Sequence, residues 1–365
     1  MLKKTITFPC KTSELEGVFL LMKNNVDLTD LRIGVIGAGS WGTALANLLG
    51  HKGFKVDLWA FEKQVRDDIE KYAENKVFLP GITLSSNISP TVDMDKAVSG
   101  KDIILTVVPS HVMRDVAIKL SAYLSRDMII ISASKGIENK THLTMTGVLR
   151  ETLPMISDNN FAVISGPSFA REVAENVPTL IGLASRNKNM ADFLQNVFAT
   201  PVFRVYTSDD TIGFELGGAV KNVIAIAAGI SDGLNLGLNT RAALITRGLT
   251  EIRRLGLKLG ANPRTFTGLA CLGDLMLTCT GTLSRNHTVG MQLGEGKKLG
   301  DILCEMQMVA EGIKTAKSVY NLSSKLNVEM PISHEVYHIL YEDVSPKIAL
   351  ARLMSRDLKQ ELDEL

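Results

Sequence analysis

The sequence predicts an α/β protein in which an N-terminal doubly wound parallel sheet is followed by an all-helical C-terminal domain. Three observations predict this fold. A glycine-rich turn follows the first apolar run within residues 32–42. Apolar runs then alternate with amphipathic segments, and strand-like runs almost vanish after Ser208. Because a parallel sheet covered on both faces has continuous apolar strands between helices, we predict a sheet domain over 31–207 and a helical domain over 208–365.

The first element is an apolar strand that leads into a Gly-x-Gly-x-x-Gly turn. Gly37 permits the tight turn, Gly39 lets the backbone approach a pyrophosphate, and Gly42 lets the next helix pack against the strand. A helix over 41–51 then directs its unpaired amide groups towards the phosphates. The alternative is a glycine-rich turn that binds nothing. The preceding strand, the helix and a second strand over 56–59 favour a Rossmann-type dinucleotide-binding unit.

The later elements continue this alternation. A helix is predicted over 112–124, and a long helix that starts near Asp209 is expected to join the two domains. The cleft between the domains is the expected ligand site. The remaining predicted strands cover residues 102–108, 128–132, 161–164, 179–183 and 203–206.

Residues 1–30 do not fit this pattern. Lys3 and Lys4 precede an apolar run over 18–22, but the run is too short for a signal peptide and no small-residue cleavage site follows it. We expect a poorly ordered extension before the folded unit.

Composition excludes several classes of protein. Lys and Arg number 40 against 39 Asp and Glu, so no net field attracts nucleic acid or an anionic membrane. The four cysteines lack zinc-site spacing and fit a reducing cytosol, where we expect them to be buried apolar residues. The longest apolar runs are interrupted before a membrane span is complete. We therefore expect a cytoplasmic protein with no membrane span and no nucleic-acid partner.

One apolar helix, over 217–228, carries a candidate acid–base group. Lys221 is its one cation and lies beside Asn222. Burial disfavours an ammonium ion, so Lys221 either finds an anionic partner or releases its proton more readily. Asp274, also in apolar surroundings, would satisfy such a pair. The alternatives are a lysine that extends to solvent and an aspartate that caps a helix.

Three further segments carry groups suited to an anion. Ser284, Arg285 and Asn286 offer a hydroxyl, a guanidinium and an amide in succession, although such a run is also an ordinary polar turn. Lys135 follows an apolar strand, where ligands of parallel sheets gather. Residues 166–170 either present backbone N–H groups to an anion or form a tight turn with a helix that Pro starts.

Together these segments resemble the NAD(P)-dependent glycerol-3-phosphate dehydrogenases from about residue 31 onward. The family interconverts dihydroxyacetone phosphate and sn-glycerol 3-phosphate, which supplies glycerophospholipid synthesis, and the resemblance also implies a homodimer. The stretches that carry it are residues 37–43, 107–111, 134–137, 164–170, 217–223, 246–249, 273–279 and 284–286.

The resemblance also implies roles for individual residues. Lys221 matches the catalytic proton donor and acceptor, supported by Lys135, Asn222, Asp274 and Thr278. The substrate would meet Lys135, Gly166, Ser168, Lys221, Asp274, Ser284, Arg285 and Asn286, the last two clamping its phosphate. The implied cofactor contacts are Gly37, Gly39, Ser40, Trp41, Gly42, Phe61, Glu62, Lys135, Ala170, Arg285, Val309 and Glu311. No metal is implied.

The residues after the second strand bear on the choice of cofactor. Phe61 stands where NADPH-dependent bacterial relatives commonly carry Arg or His, and Glu62 falls where a carboxylate accepts a hydrogen bond from the adenosine ribose. A carboxylate there repels a 2′-phosphate, so we expect NAD(H), with NADP(H) possible. The alternative is that Glu62 only starts the next helix and that Lys63 or Arg66 admits NADPH.

Three other functions match parts of the sequence. His334 and His338 fit the His-Glu-x-x-His zinc pattern, but no motif marks a third ligand. A dehydrogenase of the 6-phosphogluconate or 3-hydroxyacid type would share the layout without combining Lys221–Asn222 with residues 284–286. A non-catalytic nucleotide sensor would keep the glycine turn without needing Lys221.

Overall fold

The computed structural model describes residues 30–306 and 310–361. The extension predicted over 1–30 lies outside the described residues except for Asp30. The same holds for Val309, an expected cofactor contact, and for Cys10.

Eight strands form one sheet in the first half of the chain. Neighbouring strands lie in the order β3-β2-β1-β4-β5-β6-β7-β8. The direction of winding reverses between β1 and β4, and ligands of such sheets bind beyond the carboxyl ends of the strands at this reversal. The strands are β1 (Arg32–Ile36), β2 (Lys55–Trp59), β3 (Ile88–Thr91), β4 (Ile103–Thr106), β5 (Ile129–Ser132), β6 (Phe161–Ser165), β7 (Thr179–Ala184) and β8 (Phe203–Ser208).

The sheet departs from the prediction at two places. All neighbouring strands are parallel except β6 and β7, which pair antiparallel, so the predicted parallel sheet contains one antiparallel pair. The one helix in the β6–β7 connection has five residues and rises about 7.5 Å, about half the length of a strand, so the chain turns back instead of crossing over. The edge strand β3 was not predicted, because its four residues include a serine and Pro90, which only an edge tolerates.

Helices cover both faces of the sheet. Along β5, Ile129 and Ile131 enter one hydrophobic core while Ile130 enters the other, as the two-residue period of a strand requires. The helix predicted over 112–124 is shorter, because the chain turns after Leu120 with the amide of Tyr123 bonded to its carbonyl. The helices of this half are α1 (Ser40–His51), α2 (Lys63–Tyr72), α3 (Met94–Val98), α4 (Met113–Leu120), α5 (Met145–Thr152), α6 (Ala170–Ala174) and α7 (Lys188–Phe198).

The second half is helical: no described residue after Ser208 lies in a strand. A π-helical turn, Leu269–Gly273, precedes α10. The division of the chain at residues 207 and 208 into two folding units stays a prediction. The helices are α8 (Thr211–Gly233), α9 (Gly237–Lys258), α10 (Asp274–Thr280), α11 (Arg285–Gly294), α12 (Leu299–Glu305), α13 (Glu311–Leu326), α14 (Pro331–Tyr341) and α15 (Pro346–Met354).

The long helix α8 is the centre of the helical half. The Asp210 side chain caps it by accepting a hydrogen bond from the amide of Gly213 at 2.8 Å, close to the start predicted near Asp209. By length and composition α8 is apolar enough to cross a membrane, but 94% of its most apolar window is buried inside the protein. Its apolar surface is therefore covered by the rest of the protein.

Glycines bring α8 and α11 into close contact. A Cβ on Gly229 would lie 2.1 Å from the carbonyl oxygen of His287, and one on Gly290 would lie 2.0 Å from that of Ile226. Neither position can hold a larger residue unless the helices separate. The spacing between these two helices is therefore set by main-chain contact.

The described cysteines divide into two kinds. Cys271 and Cys279 are buried, and burial raises the pKa of each thiol to about 12. Cys304 lies on α12 and is exposed, so the expectation that every cysteine is buried is wrong for this residue.

Candidate active site

The glycine turn after β1 has the geometry that a dinucleotide requires. Gly37 has φ +119°, a conformation that favours glycine. A Cβ on Gly42 would lie 1.9 Å from the carbonyl oxygen of Gly37, so α1 packs directly on the turn. No atom lies within 4 Å of where a Cβ of Gly39 would be, which leaves open space over that backbone. The three glycines thus fit a bound pyrophosphate.

The N-terminus of α1 faces this turn. Ser40 and Trp41 are its first residues and are partly exposed, and no side chain caps the helix. The Ser40 hydroxyl donates to the carbonyl of Phe78 at 2.6 Å. The first amide groups of α1 therefore remain available to an anion.

Phe61 and Glu62 follow β2 at the same edge of the sheet. The Phe61 ring is 76% exposed and meets Trp59 edge-on, with centroids 6.2 Å apart. Glu62 is exposed directly before α2, and its side chain makes no cap hydrogen bond. Arg66 is paired with Asp67 and Glu70, each at 2.8 Å. The carboxylate of Glu62 is thus open to a ribose, while Arg66 has acidic neighbours of its own.

Two lysines converge on one buried aspartate beyond the sheet. The Lys221 Nζ lies 2.5 Å from Oδ1 of Asp274, and the Lys135 Nζ lies 2.6 Å from Oδ2. Lys221 also donates to Oγ1 of Thr278 at 2.6 Å, and the Thr278 hydroxyl donates to the main-chain oxygen of Asp274. The structure therefore confirms the pairing of Lys221 with Asp274 that their apolar surroundings predicted. Neither alternative, a solvated lysine or an aspartate used only as a cap, describes the pair.

The charges of this cluster set the acidity of Lys221. Lys221 is 6% exposed and Asp274 is 1% exposed. The pKa of Lys221 is lowered to about 8, mainly because the amine is buried; the negative charge of Asp274 opposes this shift and the positive charge of Lys135 adds to it. An amine with a pKa near 8 exchanges a proton readily at neutral pH.

Close backbone packing brings these residues together. A Cβ on Gly218 would lie 2.7 Å from the Ser165 hydroxyl at the end of β6, and one on Gly217 would lie 2.8 Å from the main-chain oxygen of Ala270. The two glycines therefore let α8 lie against both the sheet and the π-helical turn. That turn ends at Gly273, so Asp274 begins α10 in front of Lys221.

The segment after β6 adjoins this cluster. Lys135 also approaches the carbonyl oxygen of Gly166 at 3.4 Å, and the Ser168 hydroxyl donates to the same oxygen at 3.0 Å. The helix α6 begins only at Ala170, so the alternative of a helix started by Pro167 is wrong. Among the described residues, the buried side chain of Asn222 has no hydrogen-bond partner, which leaves its amide for a ligand.

The Ser-Arg-Asn run forms the start of α11. Ser284 is the cap, and its hydroxyl accepts a hydrogen bond from the amide of His287 at 3.2 Å. The Asn286 Oδ1 accepts from the amide of Gly312 at 2.9 Å, so the Nδ2 group of Asn286 is the half of the amide left to donate. Arg285 is exposed as the first helical residue. The run is therefore more than a polar turn.

The start of α13 links the two halves of the chain. The Glu311 Oε2 accepts a hydrogen bond from the Ser110 hydroxyl, which follows β4, at 2.6 Å. Burial raises the pKa of the Glu311 carboxyl. No pattern along the chain indicates that Ser110 holds Glu311 or that Gly312 holds Asn286, because each contact joins segments distant in sequence.

The His-Glu-x-x-His residues have separate partners. His334 shares a hydrogen bond with the Ser323 hydroxyl at 2.8 Å, and His338 with Glu342 at 2.7 Å. Within 30–306 and 310–361, no three His, Cys, Asp or Glu side chains are grouped as metal ligands. The zinc alternative therefore has no third ligand in this part of the chain.

Comparisons with known proteins agree with this geometry. Residues 32–191 match the family model for the N-terminus of NAD-dependent glycerol-3-phosphate dehydrogenase, and residues 210–351 match the model for its C-terminus. The chain is 54% identical over 331 residues to "Glycerol-3-phosphate dehydrogenase [NAD(P)+]" of Syntrophobacter fumaroxidans, covering 91% of this chain and 97% of the relative. It is 55% identical over 330 residues to the protein of that name in Geobacter sulfurreducens, covering 90% and 98%.

A solved structure gives the same assignment. The glycerol-3-phosphate dehydrogenase of Coxiella burnetii has a TM-score of 0.86 and 41% identity, covering 89% of this chain and 99% of that one. A ketopantoate reductase of Ralstonia eutropha, at 15% identity and a TM-score of 0.57, shares the fold alone. On the two family models and these relatives, the chain belongs to the NAD-dependent glycerol-3-phosphate dehydrogenase family.

Proposed function

We propose that this protein is an NAD(P)-dependent glycerol-3-phosphate dehydrogenase that interconverts dihydroxyacetone phosphate and sn-glycerol 3-phosphate for glycerophospholipid synthesis. One observation carries the assignment of the chemistry: Lys221, buried on α8, is held by Asp274 at 2.5 Å. The family membership supports the reaction, and the cluster supports Lys221 as the group that handles its proton.

The cluster suits the proton transfer that accompanies reduction of a ketone. When bound, the nicotinamide supplies the hydride that reaches C2 of the substrate. Lys221 donates a hydrogen bond to the C2 oxygen as negative charge develops there, and then gives up its proton. Asp274 and Thr278 orient the Lys221 ammonium, and Asp274 also compensates the charge of Lys135.

The start of α11 suits the substrate phosphate. Arg285, the Nδ2 group of Asn286 and the first amides of the helix all offer donors. Because α11 contacts α8 main chain to main chain, this anion site lies at a set distance from Lys221. Binding energy from the phosphate would then orient C2 without touching the reacting atoms.

We further propose that NAD(H) is preferred, with NADP(H) tolerated, because the exposed carboxylate of Glu62 would repel a 2′-phosphate. From the family resemblance we also propose a homodimer in the cytoplasm. Light scattering on the purified chain tests the dimer: a monomer at micromolar concentration would contradict it.

Oxidation of NADH in the presence of dihydroxyacetone phosphate tests the function. We expect turnover with this substrate and little with 6-phosphogluconate or 3-hydroxyacids, which the two competing dehydrogenase types would use. Binding of NADH without turnover of any of these substrates would instead favour the nucleotide sensor.

A further inference from the structure

An apolar pocket opens in the helical half between α8, α9, α14 and α15. Its cavity volume is about 60 Å³, and the pocket is open to solvent on one side. Its lining includes the C-terminal half of α8 but no residue of the sheet, of the glycine turn or of the cluster around Lys221. Most of its walls are aliphatic side chains, among them Ile230, Leu234, Leu244, Val336, Leu350 and Leu353.

Two polar groups in the lining lack hydrogen bonds. The Ser231 hydroxyl is buried, with the residue 2% exposed, and it has no partner among the described residues. The Oε2 atom of Glu335 is also buried without a hydrogen bond. Glu335 is the acidic residue of the His-Glu-x-x-His run, so this part of the motif is left without a role in the reaction.

Such groups call for an explanation, because nearly all buried polar atoms in proteins are paired. A serine within a helix commonly donates to the carbonyl one turn earlier, yet Ser231 does not. In the described part of the chain the Ser231 hydroxyl has no partner, and the Glu335 Oε2 has only an ion-pair contact with Arg352 at 3.6 Å. A ligand that bonds to both groups would recover the free energy that their missing hydrogen bonds cost.

The lining defines the chemistry of that ligand. Apolar walls accept a hydrocarbon chain, and a carboxylate oxygen accepts only a donor. Arg352 lies 3.6 Å from the Glu335 Oε2 and already supplies a positive charge, so a neutral donor fits better than an ammonium. A hydroxyl group can donate to Glu335 and also accept from Ser231.

We propose that this pocket is a second ligand site, for a neutral short-chain aliphatic alcohol whose hydroxyl meets Ser231 and Glu335. The site does not depend on the dehydrogenase assignment, since none of the groups placed in the reaction lines it.

Titration of the full chain with 1-hexanol, followed by the methyl NMR signals of the lining residues, tests the proposal. We expect saturable shifts in the wild type that NADH and dihydroxyacetone phosphate do not displace. Ser231→Ala should weaken binding at least fivefold, and Leu350→Trp, which fills the pocket, should abolish it. Hexane lacks the hydroxyl, so it should bind the wild type less tightly than 1-hexanol does. Its affinity for Ser231→Ala should equal its affinity for the wild type.

A stability measurement separates binding from folding. Because its hydroxyl has no partner, Ser231→Ala should leave the melting temperature unchanged or raised. The matched control Ser318→Ala should lower it, since the buried Ser318 hydroxyl donates to the carbonyl of Ile137 at 2.8 Å.

Three results would overturn the proposal. One is the absence of saturable binding to the wild type, and another is equal binding to the wild type and Leu350→Trp. The third is conversion of an oligomer to a monomer by Leu350→Trp, since a second copy of the chain would then cover the pocket.

Discussion

The Nζ of Lys221 lies 2.5 Å from Oδ1 of Asp274, although 53 residues separate the two along the chain. The second oxygen of the same carboxylate receives Lys135. One buried anion therefore serves two cations. This arrangement leaves a net positive charge where a substrate oxygen would gain negative charge.

Replacement of Lys221 tests its role directly. We expect Lys221→Met to lower kcat at least a hundredfold, because general acid–base catalysis contributes about 10² to 10⁴ in rate. Folding should persist, since Lys135 still compensates Asp274. Steady-state kinetics, NADH affinity and circular dichroism give the readouts. Lys325→Met, an exposed change on α13, should leave all three unaltered, and near-normal turnover of Lys221→Met would remove Lys221 from the mechanism.

The pH dependence of turnover follows from the pKa of Lys221, which burial lowers to about 8. Reduction of the ketone requires the protonated amine, so its kcat should fall as the pH rises through about 8. Oxidation of sn-glycerol 3-phosphate requires the neutral amine, and its kcat should rise over the same range.

Asp274→Asn sharpens this test. The negative charge of Asp274 raises the pKa of Lys221, so its removal should move the falling limb of the reduction profile to lower pH. Profiles measured in both directions check the shift. If the pH midpoint of the falling limb were the same in Asp274→Asn as in the wild type, the titration would belong to another group.

Arg285→Ala probes the phosphate site. Loss of a charge-assisted contact to a phosphate should raise the KM for dihydroxyacetone phosphate more than tenfold. The KM for NADH should change less if Arg285 mainly holds the substrate. Arg264→Ala, which alters an exposed arginine remote in sequence, is the control. An unchanged KM for dihydroxyacetone phosphate would move the phosphate site away from α11.

Gly290→Ala tests the contact between α8 and α11. The new Cβ would lie 2.0 Å from the carbonyl oxygen of Ile226, so the helices must separate. We expect a loss of about 1–3 kcal/mol in the free energy of unfolding. The KM for dihydroxyacetone phosphate should rise and kcat should fall, because Lys221 lies on α8 and Arg285 lies on α11.

Gly300→Ala is the matched control for this change. It lies in α12 with nothing within 4 Å of its new Cβ, and alanine favours a helix over glycine by about 1 kcal/mol. It should leave the kinetics unaltered and the stability equal or higher. Wild-type kinetics and stability in Gly290→Ala would show that this spacing is not critical.

Glu62→Gln tests the choice of cofactor. The wild type should have a higher kcat/KM with NADH than with NADPH, because the Glu62 carboxylate repels a 2′-phosphate. The substitution keeps the size of the side chain, removes its charge and should narrow that ratio. The control Asp301→Asn, an exposed change in the helical half, should leave the ratio of kcat/KM for NADH and NADPH unaltered. A wild-type preference for NADPH would refute the argument from Glu62.

The sequence by itself determined the features that neighbouring residues decide. The spacing of Gly37, Gly39 and Gly42 specified the turn, because Gly37 adopts a positive φ and a Cβ on Gly42 would meet the carbonyl oxygen of Gly37 five residues earlier. The period of apolar residues located most strands and separated the sheet from the helices. The isolated position of Lys221 in an apolar helix predicted a buried partner, since a lone ammonium is costly to bury.

Only the tertiary structure decided which distant groups meet. Lys135 and Asp274 are 139 residues apart, and Gly312 orients Asn286 from a different helix. The reversed direction of β7 and the edge strand β3 also depend on how the chain returns to the sheet. The contacts of Asp274 depend on close packing, in which glycines let α8 lie against the sheet and the π-helical turn. A pattern read along one segment does not contain the distances between segments.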